Sequence, residues 1–316
     1  MKNFIKTAAI FLMLCSAAFA GEIKFAQMSD VHYYSKATPE DKGFKVKYRA
    51  VELATDAISK INADKDIDLV LITGDAADRP IPADFETIYK LFNTLDKKWY
   101  YALGNHDTNT EFNKQKQVDL LKKVNPTMNF DKTYYSFKPK RGFTFIALDP
   151  TFSTKVSSQG YLPPEQLKFL DETLSKSQND TVVVFMHFPL IEPFYSSNHN
   201  ILNDFAVNDI LKKYKNPILV LGGHYHGTKI GTDGNVVKVA TPAIVSWPNA
   251  FRFITIDNQK DKAIFTFKYE ETSLKDVQTE AAVRFLWLKT GAIGTEKDRD
   301  TVIVVEKPVK SKLGAK

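Results

Sequence analysis

Five short polar clusters, each directly after a short apolar run, constrain the fold of this chain more than any other feature. They are Asp30-x-His32, Gly74-Asp75-Ala76-Ala77-Asp78-Arg79, Gly104-Asn105-His106-Asp107, His187 and Gly222-Gly223-His224-Tyr225-His226. Segments of helical period alternate with the apolar runs, and this alternation predicts an α/β domain. In an open α/β sheet the carboxyl ends of the parallel strands lie at one shared edge. We therefore expect clusters that are far apart in sequence to meet at that edge.

The predicted elements are short and evenly distributed. Strands are predicted over 23–28, 68–73, 99–103, 134–137, 143–148, 181–186, 218–221, 236–239, 251–256 and 263–269. Helices are predicted over 44–63, 85–95, 163–174 and 274–288, where apolar residues recur at helical spacing. This order predicts one catalytic domain over 21–257. A C-terminal extension over 258–316, with a strand, an amphipathic helix and a basic tail, is predicted to follow it.

The first twenty residues predict a secretory signal peptide. Lys2 and Lys6 precede an apolar run over 7–19, and Ala18-Phe19-Ala20 has the small residues that signal peptidase recognises. This run is too short to span a bilayer. We therefore expect cleavage after Ala20, no transmembrane segment in the mature chain, and a periplasmic or secreted location.

Cysteine and charge exclude several classes of protein. Cys15 is the only cysteine and lies in the predicted signal peptide, so the mature chain is expected to have neither disulfides nor a cysteine nucleophile. A lipid anchor at Cys15 is the alternative, although the preceding Leu14 is larger than lipoprotein processing favours. The net charge of +6 is spread along the chain, and the basic stripe typical of nucleic-acid binding is not seen.

The side chains of the five clusters are typical metal ligands. Asp, Asn and His offer oxygen and imidazole nitrogen without thiolate, a combination that suits Mn, Fe, Zn, Co or Ni. In extended chain, residues two apart face the same way, so Asp30 and His32 are able to share an ion, as are His224 and His226. His199 lies in a polar loop outside the clusters and is predicted to be structural, with substrate contact as the alternative.

Taken in order, the clusters resemble those of the calcineurin-like metallophosphoesterase superfamily, over residues 23–257. The resemblance implies a layered α/β/β/α sandwich with central mixed sheets and a dinuclear metal site at the carboxyl ends of the strands. It implies Asp30, His32 and His226 as ligands of a first divalent ion, and Asp75 as a carboxylate that bridges both ions. For the second ion it implies Asn105, His187 and His224.

The resemblance also implies a mechanism. Two ions roughly 3.5–4 Å apart activate a bridging hydroxide that attacks phosphorus. His106 is the implied proton donor to the leaving group, and Asp78 or Asp107 is the implied residue that orients its ring. Asn105, His106 and Arg79 are the implied substrate contacts. The Gly-Asp cluster contains no tyrosine, which argues against the iron site of purple acid phosphatases.

The sequence therefore predicts an exported, metal-dependent enzyme that hydrolyses a small-molecule phosphomonoester or phosphodiester. A non-catalytic metal-binding interaction module and a nuclease are the alternatives; the complete ligand set argues against the first and the weak charge against the second. The sequence leaves the ester, the metal and the oligomeric state open. Four loops are predicted to select the substrate, over 33–44, 108–117, 189–199 and 247–251. Their aromatic residues are expected either to stack on a ring of the substrate or to pack within the loops; they are Tyr34, Phe194, Tyr195, Trp247 and Phe251.

Overall fold

The fold is a mixed α/β arrangement of two six-stranded sheets, as predicted. It is given by a computed structural model that describes residues 21–285 and 289–308. Within these residues the strands are β1 Gly21–Met28, β2 Leu69–Ile72, β3 Trp99–Tyr101, β4 Tyr135–Phe137, β5 Phe143–Ala147, β6 Thr181–Phe185, β7 Ile218–Gly222, β8 Lys229–Asp233, β9 Val236–Ala240, β10 Ala250–Asn258, β11 Lys262–Glu271 and β12 Thr301–Glu306. The predicted signal peptide over 1–20 lies outside the described residues.

Both sheets contain parallel strands that end near each other. The first sheet has the order β12-β11-β10-β1-β2-β3, in which β1, β2 and β3 are parallel and the other pairs are antiparallel. The second sheet has the order β4-β5-β6-β7-β9-β8, and β5, β6, β7 and β9 are its parallel strands. Four of the polar clusters follow β1, β2, β3 and β7, and His187 follows β6.

Helices alternate with many of these strands along the chain. Within the described residues they are α1 Ala50–Ala63, α2 Pro82–Phe92, α3 Lys114–Val124, α4 Pro164–Lys176, α5 Asp204–Lys213, α6 Lys275–Arg284, α7 Lys289–Ile293 and α8 Glu296–Arg299. The helix predicted from residue 44 begins only at Ala50, because the segment before it forms a loop and a single 3₁₀ turn over Lys47–Arg49. None of the helices in the described part of the chain is long and apolar enough to span a bilayer.

The alternation of side chains along the second sheet separates two apolar layers. Phe145 and the other side chains on the same face of the second sheet point toward the first sheet. The ring centroid of Phe145 lies 5.5 Å from that of Phe25. The adjacent Ile146 faces the opposite way, into the layer that contains Leu170 of α4 and Val207 of α5. Helices α1 and α2 pack on the outer face of the first sheet. The resulting order of layers is α/β/β/α, as the resemblance implied.

The C-terminal region is built into the first sheet. Strand β11 pairs with β10 over residues 263–271, and β12, which the sequence pattern did not predict, pairs with β11 at the sheet edge. Helix α6 covers part of the predicted amphipathic helix, with Val277, Ala281 and the following Phe285 buried. Leu288 and the tail over 309–316 lie outside the described residues.

Candidate metal centre

The predicted metal ligands lie at the carboxyl ends of the parallel strands, in an unusual backbone conformation. Six non-glycine residues of the described chain have positive φ, and five of them belong to this set: Asp30, His32, Asp75, His224 and His226, with φ between 48° and 66°. Left-handed backbone is unfavourable for residues with a Cβ, and such strain is concentrated at functional sites. The tight turns after the strands bring these side chains together at the carboxyl ends of the strands.

One group of possible ligands consists of Asp30, His32 and His226. The Nε2 atoms of His32 and His226 lie 3.6 Å and 3.3 Å from Oδ1 of Asp30. His32 Nε2 also lies 3.4 Å from Oδ2 of Asp75. All four residues are buried, so their donor atoms are held at separations that one cation can bridge.

A second group consists of Asp75, His187 and His224. His187 Nε2 lies 3.2 Å from Asp75 Oδ2, 3.0 Å from Asn105 Oδ1 and 3.1 Å from His224 Nδ1. Because Asp75 Oδ2 approaches one histidine of each group, its carboxylate stands between them. The structure thus brings all seven residues predicted as ligands close together at one place.

Each histidine of the two groups has its other ring nitrogen within 3.2 Å of an oxygen atom, and His32 Nδ1 also lies 3.0 Å from Lys45 Nζ. Such contacts set the tautomer and the ring orientation of metal-binding histidines. The contacts are His32 Nδ1 with Asp78 Oδ1 at 3.2 Å, His187 Nδ1 with the Thr73 carbonyl at 2.7 Å, His224 Nε2 with the Ser158 carbonyl at 2.8 Å and His226 Nδ1 with Ser246 Oγ at 2.7 Å. The nitrogens that face inward are therefore Nε2 of His32, His187 and His226, and Nδ1 of His224.

The interior of the site has the electrostatic character that a cation requires. Asp30 Oδ1 and His32 Nε2 are buried without a hydrogen-bond partner in the described chain, a cost that coordination of a cation removes. Burial disfavours charge on His187, yet the carboxylates of Asp75 and Asp30 outweigh burial and raise its pKa to about 9. The oxygen and nitrogen donors thus fit divalent metal ions.

Close backbone approach at the site depends on glycine. A Cβ on Gly104 would lie 2.1 Å from Asp75 Oδ1 and 2.3 Å from the backbone nitrogen of Asp75. A Cβ on Gly223 would lie 1.8 Å from Ser29 Oγ and 2.5 Å from Asp30 Oδ2. The glycines of two clusters are therefore required by packing against the two carboxylates.

The predicted proton donor His106 lies at the site, and Asp78, one of the two residues expected to orient its ring, contacts it through the backbone rather than through its carboxylate. Its Nδ1 contacts the backbone carbonyl oxygen of Asp78 at 2.7 Å, whereas the Asp78 carboxylate contacts His32 and two lysines. Asp107 was the other candidate, and its hydrogen bonds go elsewhere: Oδ2 accepts from Tyr101 Oη at 2.6 Å and from the backbone nitrogen of Gly104 at 2.6 Å. Asp107 therefore supports the Gly104 turn rather than the His106 ring.

Two basic side chains near the predicted ligands, Lys45 and Arg79, differ in their contacts. Lys45, which the sequence analysis did not single out, places Nζ 3.0 Å from His32 Nδ1 and 3.3 Å from Asp78 Oδ1. Arg79, a predicted substrate contact, is exposed, and its guanidinium carbon lies 4.9 Å from the ring centroid of Tyr34. Of the two, only Lys45 lines the cavity over the site.

A cavity of about 370 Å³ opens over the two ligand groups. Two of the four predicted substrate loops contribute to its wall, through Phe44 of the first and through Phe194, Tyr195 and His199 of the third. His199, expected to be structural, thus belongs to the cavity, with its ring centroid 5.3 Å from that of His224.

The other two loops do not line this cavity within the described chain. Phe251 is fully buried, and Trp247 packs against the core, so packing is the correct alternative for these two residues. Phe285, from outside all four loops, does line the cavity. No sequence motif pointed to Phe285 or Lys45 as site residues, because tertiary contacts alone bring both of them to the cavity.

Comparison with known proteins agrees with this geometry. Residues 23–228 match the family model of the calcineurin-like phosphoesterases. A probable cyclic nucleotide phosphodiesterase of Coxiella burnetii is 27% identical over 210 residues, which cover 65% of this chain and 76% of that protein. A probable glycerophosphodiester phosphodiesterase of Arcobacter nitrofigilis is 26% identical over 253 residues, 77% of this chain and 84% of that protein.

The solved structure of a dimetal phosphatase from Danio rerio has the same fold. It matches 77% of this chain and 95% of its own, with a TM-score of 0.59 and 17% sequence identity.

Proposed function

This chain belongs to the calcineurin-like phosphoesterase family and is a metal-dependent phosphoric ester hydrolase, and from this premise we propose that it hydrolyses phosphodiesters at two divalent ions. Asp30, His32 and His226 would hold one ion, and His187, His224 and Asn105 the other. Asp75 would serve both, since Oδ2 lies 3.4 Å from His32 Nε2 and 3.2 Å from His187 Nε2. When bound, such a pair of ions lowers the pKa of a water molecule and neutralises phosphoryl charge.

The wall of the cavity is the observation that carries the preference for diesters. Lys45 is the one lysine or arginine among the lining residues of the described chain, and aromatic side chains supply much of the remaining wall. A phosphodiester carries one negative charge and a second organic substituent, whereas a monoester approaches two charges at neutral pH. A single ammonium beside an aromatic wall suits the diester better. The names of the two bacterial relatives, both phosphodiesterases, support the same choice.

His106 is the residue we assign to the leaving group. Its Nδ1 donates to the carbonyl oxygen of Asp78 at 2.7 Å, so Nε2 is the ring atom left to hold a transferable proton. Burial lowers the pKa of His106 to about 4, and an anionic phosphoryl group beside the ring favours its protonated form. Water then adds to phosphorus as the ester P–O bond breaks, and the departing oxygen takes the proton from Nε2. One proton of the water stays on the new phosphate hydroxyl, and the other is released to solvent, from which Nε2 is protonated again.

The substrate is proposed to be a small molecule and the protein to be exported. A cavity of about 370 Å³ has the size of a small-ligand site. Export rests on the basic start, apolar run and Ala18-Phe19-Ala20 site of the first twenty residues. Mass spectrometry of protein recovered from the cell envelope should give a chain that begins at Gly21, whereas an uncut N-terminus would refute the signal peptide.

Hydrolysis by protein loaded with Mn²⁺ or with Zn²⁺ tests the activity. We expect faster turnover of bis-p-nitrophenyl phosphate than of p-nitrophenyl phosphate, with cyclic AMP and ADP-ribose tested beside them. Preference for the monoester would overturn the diester assignment. Cleavage of DNA alone would favour the nuclease alternative, and metal-loaded protein without any turnover would favour the non-catalytic module.

A further inference from the structure

Phe44 stands beside the metal centre with its ring partly open to the cavity. Its side chain is 38% exposed, an unusual environment for a large apolar residue inside a binding site. The ring centroid lies 5.2 Å from that of His226, with the planes at 83°. A group bound to the phosphorus at the site would therefore lie within reach of this ring.

The C-terminal region holds Phe44 in place. Phe285, directly after α6, is buried and meets Phe44 edge to face, with 5.0 Å between ring centroids and planes at 90°. Phe285 also lines the cavity, and it lies outside the segment that matches the family model. The wall of the site is thus completed by a residue of the C-terminal region.

Helix α6 also fixes the loop that carries Phe44. Arg284 donates from its two terminal nitrogens to the carbonyl oxygens of Asp41 at 2.7 Å and Pro39 at 2.9 Å. On the far side of the same loop, Tyr48 Oη donates to Glu280 at 2.5 Å. These contacts tie the segment before and after Phe44 to one face of α6.

The loop over 189–199, which carries Phe194, is also supported by the C-terminal region. A Cβ on Gly291 of α7 would lie 2.5 Å from Cδ1 of Phe194, which lines the cavity. The carbonyl oxygen of Gly291 accepts from the backbone nitrogen of Thr228 at 3.3 Å. Both aromatic walls of the cavity therefore rest on the C-terminal region.

We propose that Phe44 forms a subsite for a planar ring on the substrate, and that Phe285 and Arg284 position it. The subsite gives the enzyme a preference for esters of ring-bearing alcohols, such as aryl or nucleoside esters, over esters of glycerol. This inference rests on the proposed function, since it describes the organic group of the same phosphate ester. An aromatic ring packed against Phe44 gains apolar burial and an aromatic contact.

Binding of two phosphonates to the Mn²⁺-loaded protein tests the subsite apart from turnover, because their C–P bond is not an ester. Phenylphosphonate should bind about 2- to 12-fold more tightly than methylphosphonate in titration calorimetry, the range that one aromatic contact supplies. Phe44→Ala should bring the two dissociation constants together, while Phe44→Trp should keep them apart. Phe205→Ala, which removes an exposed phenylalanine of α5, is the matched control and should leave the ratio unchanged.

The positioning residues are tested by the same ratio. Phe285→Ala and the milder Arg284→Lys should lower phenylphosphonate affinity and leave methylphosphonate affinity unchanged, whereas general damage to the site would weaken both. Equal affinities in the parent protein, or a ratio that survives Phe44→Ala, would overturn the subsite. If the parent protein showed this difference in phosphonate affinity but did not hydrolyse diesters, the proposed function would be wrong and the subsite would stand.

Discussion

Gly104→Ala is a small change that should have a large effect on the metal centre. The added Cβ would lie 2.1 Å from Asp75 Oδ1, 2.3 Å from the Asp75 backbone nitrogen and 2.8 Å from its carboxyl carbon. One of these atoms is backbone, so the contact is not relieved by rotation of a flexible side chain. Ordinary contact begins at 3.4 Å, so atoms must separate by about 1 Å, either through the Gly104 turn or through Asp75.

The expected magnitude follows from that displacement. Overpacking at a buried position costs about 1–3 kcal/mol of unfolding free energy. A displacement of about 1 Å in a group that positions the reaction costs roughly 100-fold in rate. Asp75 Oδ1 also accepts from the backbone nitrogen of His106 at 2.9 Å, so the change moves a proposed ligand and the segment of the proposed proton donor together.

Three measurements on the same preparation check this prediction: urea unfolding, bound Mn²⁺ by elemental analysis, and kcat/KM for bis-p-nitrophenyl phosphate. Gly234→Ala is the matched control, because Gly234 has φ of +62° in the β8–β9 turn and open space around it. The control should lose about 1–2 kcal/mol of stability with activity intact. Activity and metal content in Gly104→Ala equal to those of the parent would refute the close-contact reasoning.

Three further substitutions test other parts of the site and its support. His106→Ala should keep its metal content and lose turnover by roughly 10²–10⁴-fold; parent-like kcat would contradict the role of Nε2. Asp75→Asn should lose both ions in elemental analysis, because one carboxylate serves both groups, and full metal content would exclude sharing. Asp298→Ala should cost about 1–3 kcal/mol in urea unfolding at pH 7, since Asp298 accepts from the backbone nitrogens of Thr295 at 2.9 Å and Ile230 at 3.1 Å. Burial raises the pKa of Asp298, but these hydrogen bonds outweigh it and hold the pKa below its usual value. The stabilisation is therefore present above pH 4 and lost as pH falls through the lowered pKa, and a difference that instead grew in acid would be contradictory.

The meeting of the five clusters at one edge was predictable because periodicity and strand order determine where the strands end, whereas the assignment of each residue to a metal ion came from the family resemblance. Short apolar runs such as the one over 218–221 identify strands, and the residue types that follow, such as His224 and His226, identify metal chemistry. The parallel order of the strands then brings these residues to one edge.

The surroundings of the ligands were less predictable, because they depend on packing between distant segments. Asp78 contributes to His106 through a backbone carbonyl, whereas its carboxylate is taken by His32 and Lys45. No sequence pattern distinguishes those two uses of one residue. Phe285 lines the cavity and contacts Phe44, a residue far from it in sequence.

Titration of metal into chelator-stripped protein tests the central claim most directly. Hydrolysis of bis-p-nitrophenyl phosphate is followed as Mn²⁺ is added in fractions of one equivalent per chain. A site with two ligand groups around Asp75 predicts that turnover rises to a plateau at two equivalents. A plateau at one equivalent, or no turnover at any metal content, would contradict a dinuclear phosphodiesterase.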